Sequence, residues 1–281
     1  MPLEHDVNDV MLRTTRGGMH MRVIFIGAGE AFDEHTPNTS LLTLPDSYDA
    51  DAVLLDCGFT AAAAFFRHAP PKLHADGLAA IYLTHLHGDH FLGLPWLLHR
   101  LGEDGRTKHL DILGPADTRE VIPAASEIAY PGSFARLPFP VGFVEVSPSH
   151  DITLDRWRFR FAPSLHGQPN LAVRLERDDK ILCYSGDGAP GPQSASLAHN
   201  ADLLVQDSYF LEKDKDPDGA SGHGSAEGSI ELARKSGSRR LALVHIARCV
   251  RHGRREELMR LAESVKDVQV LIPQPGCVLT L

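Results

Sequence analysis

The chain has 281 residues, enough to bury a large core without covalent staples, so a disulfide-built miniprotein is excluded. Lys and Arg number 28 against 37 Asp and Glu, a formal charge of −9, and composition supplies no bulk attraction to nucleic-acid phosphates. With 43% hydrophobic and 23% charged residues, the chain reads as globular and not disordered.

No apolar run approaches the roughly 18 to 20 residues that cross a bilayer, and the first 20 residues hold no signal-peptide h-region, so a cytoplasmic protein with no membrane partner is expected. The cysteines, Cys57, Cys183, Cys249 and Cys277, form no CxxC pair and are expected as buried free thiols. Histidine is abundant at 16 residues, and imidazole is the commonest transition-metal ligand.

Residues 1–20 lack periodicity and end near Arg16-Gly17-Gly18, which predicts a flexible extension ahead of one domain over 21–281. Apolar runs predict strands over 22–27, 40–45, 52–57 and 78–84, then a helix over 91–100 from the spacing of Phe91, Leu94, Leu97 and Leu98. Further strands are expected over 110–114, 142–146, 157–163, 171–176, 180–185, 203–207, 241–246 and 268–272. Helices are expected over 116–128, 225–235 and 254–264. Mixed α/β layering follows, sheet inside and helices outside. Trp96, Trp157 and the Phe65-Phe66 pair read as core. Gly27-Ala28-Gly29 lacks the third glycine of a dinucleotide loop, Phe32 standing in its place, and reads as a tight turn.

Chemistry concentrates in Thr84-His85-Leu86-His87-Gly88-Asp89-His90, where three imidazoles and a carboxylate follow an apolar strand. Side chains two apart on a strand share a face, so His85 and His87 can point together, while Gly88 permits the turn that brings Asp89 and His90 around. Nitrogen and carboxylate ligation suits zinc, with manganese or iron as alternatives. A short loop cannot complete two coordination spheres, and His166, Asp187 and His245, each at a strand end, are the candidates to complete them.

This pattern resembles the metallo-β-lactamase superfamily, whose HxHxDH signature is matched by His85, His87, Asp89 and His90. The resemblance implies a four-layer αββα sandwich of two mixed sheets. It also implies one metal held by His85, His87 and His166, a second held by Asp89, His90 and His245, and Asp187 bridging them. Within the superfamily the tract IYLTHLHGDHFLGLPWLL, Ile112 to Pro115, KILCYSGD, His223-Gly224-Ser225 and Leu243 to Ile246 are similar to the ribonuclease Z and phosphodiesterase branch. The chain departs from that branch at Gln206-Asp207, where a His-Glu pair is usual, and at Ala247, Arg248 and Cys249. It also has only about 20 residues between His166 and Asp187, so the inserted substrate-gripping arm is missing.

The expected chemistry is hydrolysis by a dinuclear centre, a hydroxide shared by two ions attacking phosphorus. His223 protonates the leaving alkoxide, Asp207 orients His223, and Asp89 is counted among the catalytic carboxylates. The substrate is a small or cyclic phosphodiester or an RNA 3′ end, and a homodimer is expected. The alternatives are a lactone, thioester or aryl-sulfate hydrolase, or a metal-binding protein without hydrolytic work. The arginines near Arg234 to Arg255 could line a phosphate groove, although solvated helix faces are the default reading.

Overall fold

The computed structural model describes residues 20–45, 51–212, 215 and 221–281. Apart from His20, the extension expected over 1–20 lies outside these. The chain builds two seven-stranded sheets. In chain order the first half contributes β1 (Met21–Gly27), β2 (Ser40–Pro45), β3 (Ala52–Leu55), β4 (Leu78–Tyr82), β5 (Leu110–Gly114) and β6 (Val141–Glu145). The second half contributes β7 (Ile152–Leu154), β8 (Trp157–Pro163), β9 (Leu171–Arg177), β10 (Lys180–Tyr184), β11 (Leu203–Asp207), β12 (Arg240–Val244) and β13 (Gln269–Leu271). The last strand, β14 (Val278–Thr280), returns to pair with β1.

Strand order is β14-β1-β2-β3-β4-β5-β6 in one sheet and β13-β12-β11-β10-β9-β8-β7 in the other. Each half opens antiparallel and finishes parallel, the change falling at β3 and at β10. Alternation within each strand explains the layering. Val23 and Phe25 of β1, Tyr82 of β4 and Val244 of β12 join one core between the sheets. Ile24, Ile26 and Ile81 face the other way, under helices α1 (Ala61–His68), α3 (Leu94–Glu103) and α4 (Thr118–Ala129). Leu241 and Leu243 pack under α5 (Ala226–Ser236) and α6 (Arg255–Ser264). The result is a four-layer αββα sandwich.

Several expectations need correction. Strands expected to reach Cys57 and Ile246 stop at Leu55 and Val244, because Asp56 and His245 adopt left-handed backbone with φ of 58° and 53°. The helix expected from Phe91 is split, a single turn α2 (Gly88–Phe91) preceding α3. Gly88 starts that turn without positive φ, so its expected conformational role is not used. Helix α1 escaped notice because its alanine run has little polar contrast, and β7 and β14 are too short at 3 residues each to show a period. Trp157 and Phe65 are core, but Trp96 is 38% exposed. Cys57 and Cys183 are buried, whereas Cys249 is exposed and Cys277 half-buried. No helix among the described residues is long and apolar enough to cross a membrane.

Candidate metal centre

The site lies where strands of both sheets run out at their C-terminal ends. Beyond β4 the chain carries His85, His87, Asp89 and His90. Past β8 comes His166, past β10 Asp187, at the end of β11 Asp207, and after β12 His245. Donor atoms of His85, His87, His166 and Asp187 all fall within 4.8 Å of one another, and so do those of Asp89, His90, Asp187 and His245. All seven expected ligands therefore converge, in two groups that share Asp187.

Asp187 divides its oxygens between the groups. Oδ2 lies 3.9 Å from His85 Nε2 and 4.0 Å from His166 Nε2, while Oδ1 lies 3.0 Å from His90 Nε2 and 3.3 Å from His245 Nε2. His87 Nδ1 is 3.0 Å from His85 Nε2 and 3.1 Å from His166 Nε2, and Asp89 Oδ2 is 3.2 Å from His90 Nε2 and 3.3 Å from His245 Nε2. Ligands about 2.0 to 2.1 Å from a tetrahedral ion sit roughly 3.3 Å apart, so the tighter of these spacings suit a common cation.

Electrostatics point the same way. His90 Nε2 and Asp187 Oδ1 are buried yet make no hydrogen bond despite their 3.0 Å approach. Leaving such atoms unpaired costs about 1 to 3 kcal/mol each, which a shared cation would offset. Burial pushes the His85 and His87 imidazoles below their ordinary pKa, which keeps their nitrogens available as neutral donors. Burial alone would raise Asp187, but the neighbouring His245 and His90 charges hold it well below the carboxylate range. At His245 burial lowers the pKa, and Asp187, Asp89 and Asp207 more than offset it, raising it to about 9. The side of the pocket around His245, which draws a proton onto its imidazole in this way, is short of positive charge.

A second layer orients the donors. Asp56, fully buried, accepts hydrogen bonds from Thr84 N at 2.8 Å, His90 Nδ1 at 2.8 Å and Tyr184 Oη at 2.7 Å. His90 Nδ1 is thereby committed and Nε2 is left for an ion. His166 Nδ1 likewise donates to the Gly222 carbonyl at 3.1 Å. The apolar pattern does not single out Asp56, because it continues the strand through to Cys57. A charged residue closing the apolar run AVLLD, next to the strand that carries the histidines, was the available signal.

Beside this centre His223 Nδ1 donates to Asp207 Oδ2 at 2.8 Å. The shorter acid still reaches, because Asp207 is fully buried and fixed by Gly188 N at 2.7 Å and Tyr209 N at 3.1 Å. Gln206, the other departure, donates to the Gly188 carbonyl at 3.0 Å and so braces the loop of Asp187. His223 stacks between Tyr209 and His245, at ring distances of 4.7 and 5.2 Å. Burial lowers its pKa, and the hydrogen bond and charge of Asp207 reverse this to a net rise.

The arginines expected to line a groove are mostly committed elsewhere. Arg234 pairs with Asp267, Arg239 with Asp202, and Arg254 with Glu212 and Glu257, while Arg251 is buried on the Ala28 carbonyl. His35 is exposed and packs edge-on against His252. A cleft of about 410 Å³ opens over the centre, lined by Glu30, Phe32, Phe59, Asp89, Tyr209 and His223 among others.

The beta-lactamase superfamily domain matches residues 51–246, a stretch that contains all seven converging ligands. The chain belongs to this superfamily. Ribonuclease Z of Methanothermobacter thermautotrophicus is 27% identical over 88% of this chain and 93% of its own length, and that of Ignicoccus hospitalis is 25% identical over the same shares. Among solved structures, the metallo-beta-lactamase fold protein YhfI from Bacillus subtilis superposes with a TM-score of 0.75 at 21% identity, covering 94% of this chain and 100% of that one. The short form of human tRNase Z gives 0.72 at 20% identity, covering 92% and 98%. Superfamily membership and the histidine and aspartate groups together imply divalent metal ions.

Proposed function

We infer that the chain is a metal-dependent phosphodiesterase. The observation that carries this reading is the split of Asp187 between two histidine groups, with the His223–Asp207 pair alongside. Similarity to proteins named ribonuclease Z supports phosphodiester bonds over other esters and admits an RNA 3′ end as substrate.

His85, His87 and His166 would hold one ion, Asp89, His90 and His245 a second, with Asp187 between them. The all-nitrogen-and-oxygen donor set favours zinc. Divalent ions there supply Lewis acidity, lowering the pKa of water and neutralising phosphoryl charge. The chain's own part is to keep these donors oriented through Asp56 and Gly222, and to protonate the leaving oxygen. Asp207 holds the Nδ1 proton of His223, so Nε2 is the nitrogen that delivers a proton to the alkoxide.

A homodimer is supported by an apolar groove of about 540 Å³ between α3 and α4, where Leu92, Trp96, Ile128 and Tyr130 are exposed. Ile128→Glu should shift the protein to monomer in light scattering.

The test combines metal counting with turnover of bis(p-nitrophenyl) phosphate, cyclic nucleotides, a lactone and precursor transfer RNA. Wild type should bind close to two ions and cleave a diester. His85→Ala should lose metal and activity, and His223→Ala activity alone. Lactone turnover without diester turnover would overturn the reading.

A further inference from the structure

Two of the largest exposed apolar side chains stand at the mouth of the cleft. Phe32 is 75% and Phe59 47% exposed, and both line the same cavity as Asp89, Asp187 and His223. The backbone that carries each is anchored. Phe32 N donates to Glu30 Oε2 at 2.7 Å, and its carbonyl accepts from Arg248 Nη1 at 3.0 Å. Gly29 just before it bridges to Ile246, the neighbour of His245. On the opposite loop Cys57 N donates to the His90 carbonyl at 2.7 Å. A Cβ on Gly58 would stand 1.8 Å from the Asp89 carbonyl oxygen, so glycine there lets the Phe59 loop lie directly on the ligand loop. Each ring is tied through backbone to a residue of the candidate centre.

The charge of the lining is as informative. Its carboxylate side chains are Glu30, Asp89 and Asp187, and it includes no Lys or Arg among the described residues. Arg248, whose guanidinium reaches the loop of Phe32, is engaged by Glu30 Oε1 at 3.4 Å and by the Phe32 carbonyl. Successive phosphates of a nucleic-acid chain are normally met by such cations, and a cleft without them suits a substrate whose only phosphate is the one at the centre. The 20 residues from His166 to Asp187 add no grip, since β9 and β10 are joined by Asp178 and Asp179 alone.

Building on the phosphodiesterase reading, we propose that Phe32 and Phe59 are specificity-determining residues, an aromatic jaw that takes a flat uncharged ring one ester bond from the scissile phosphorus. The substrate is then a small ring-bearing diester with a single phosphate, a nucleoside or aryl ester, and not a polyanion. Stacking on an aromatic side chain tolerates any flat ring and is commonly worth a tenfold or greater change in affinity.

The experiment measures binding of diphenyl phosphate and dimethyl phosphate to the zinc-loaded protein by calorimetry, with kcat and KM for a dinucleoside monophosphate and for precursor transfer RNA. Wild type should prefer diphenyl phosphate by about tenfold or more. Phe32→Ala and Phe59→Ala should each lose most of that preference and raise KM for the dinucleoside about tenfold, kcat moving less than twofold. Phe59→Leu, which keeps apolar bulk without a ring, should behave as Phe59→Ala and so excludes a folding defect. Equal affinities for the two phosphates, variants that bind as wild type does, or a higher kcat/KM on precursor transfer RNA than on the dinucleoside would overturn the proposal. Absence of turnover on any diester, with the ring preference intact, would instead overturn the phosphodiesterase reading and leave the jaw standing.

Discussion

The two halves of the chain build matching sheets and supply the site in opposite ways. From the first half His85, His87, Asp89 and His90 arrive on one loop and a single helical turn, within six residues. From the second half the residues arrive from four separate strand ends, His166 past β8, Asp187 past β10, Asp207 at the end of β11 with His223 on the segment after it, and His245 past β12, brought together only when these strands share one sheet. Local geometry thus fixes one wall of the cleft and sheet topology fixes the other. Asp187 is where the two walls meet, since its oxygens face His85 on one side and His90 on the other.

The sharpest way to test this asymmetry is to remove one ligand from each wall. Asp187→Ala takes a donor from both groups, so metal content should fall toward zero and turnover by about 10³-fold or more. His87→Ala removes a donor from one group only and should leave close to one ion bound, read by elemental analysis. Equal metal loss in the two variants would remove the special place of Asp187. Asp56→Asn keeps the size of the side chain but weakens the hold on His90, so metal affinity should fall about 10- to 100-fold in a chelator competition. Asp207→Asn should cut kcat by a similar factor of about 10 to 100 while metal content stays constant, because Asp207 acts through His223.

The smallest effect is expected at the seam between the halves. Asp33, in the loop after β1, receives hydrogen bonds from His35 N, Thr36 N and His252 at 2.9 to 3.1 Å. Burial raises its pKa, yet these bonds bring it below the ordinary carboxylate value. A carboxyl lowered on folding contributes stability above the unfolded pKa of about 3.9 and loses it as pH falls through the folded value. Asp33→Asn should therefore cost about 1 kcal/mol near pH 7, and the deficit should shrink as pH falls through the folded value, by denaturant titration across the acid range. A deficit that persists in acid would mean that the loop is held by other contacts.

The same asymmetry explains what could be read from the residues alone. The ligands on the first wall are dense enough to announce a metal cluster, and strands such as Leu110–Gly114 and Trp157–Pro163 show apolar runs closed by clear breaks. His166 and His245 stand alone in the sequence and are marked only by their place at strand ends, and it is the resemblance to a family that turns them into an expected ligand set. Asp56 stayed hidden because its role depends on β3 lying beside β4, and neighbourhood across a sheet leaves no mark in a linear pattern. Phe32 looked like a defect in a glycine motif, and nothing local says that a ring there stands over a cleft.

The backbone at Asp56 and His245 has a consequence of its own. Left-handed φ at a residue with a side chain costs on the order of 1 kcal/mol or more, and here it falls on two positions of the candidate site, one per half. Random substitution screened for thermal resistance should accept glycine readily at Asp117 or Asn200, ordinary turns with the same handedness. At Asp56 and His245 the fold trades robustness for chemistry, and any gain in melting temperature won there should come with a lost ion.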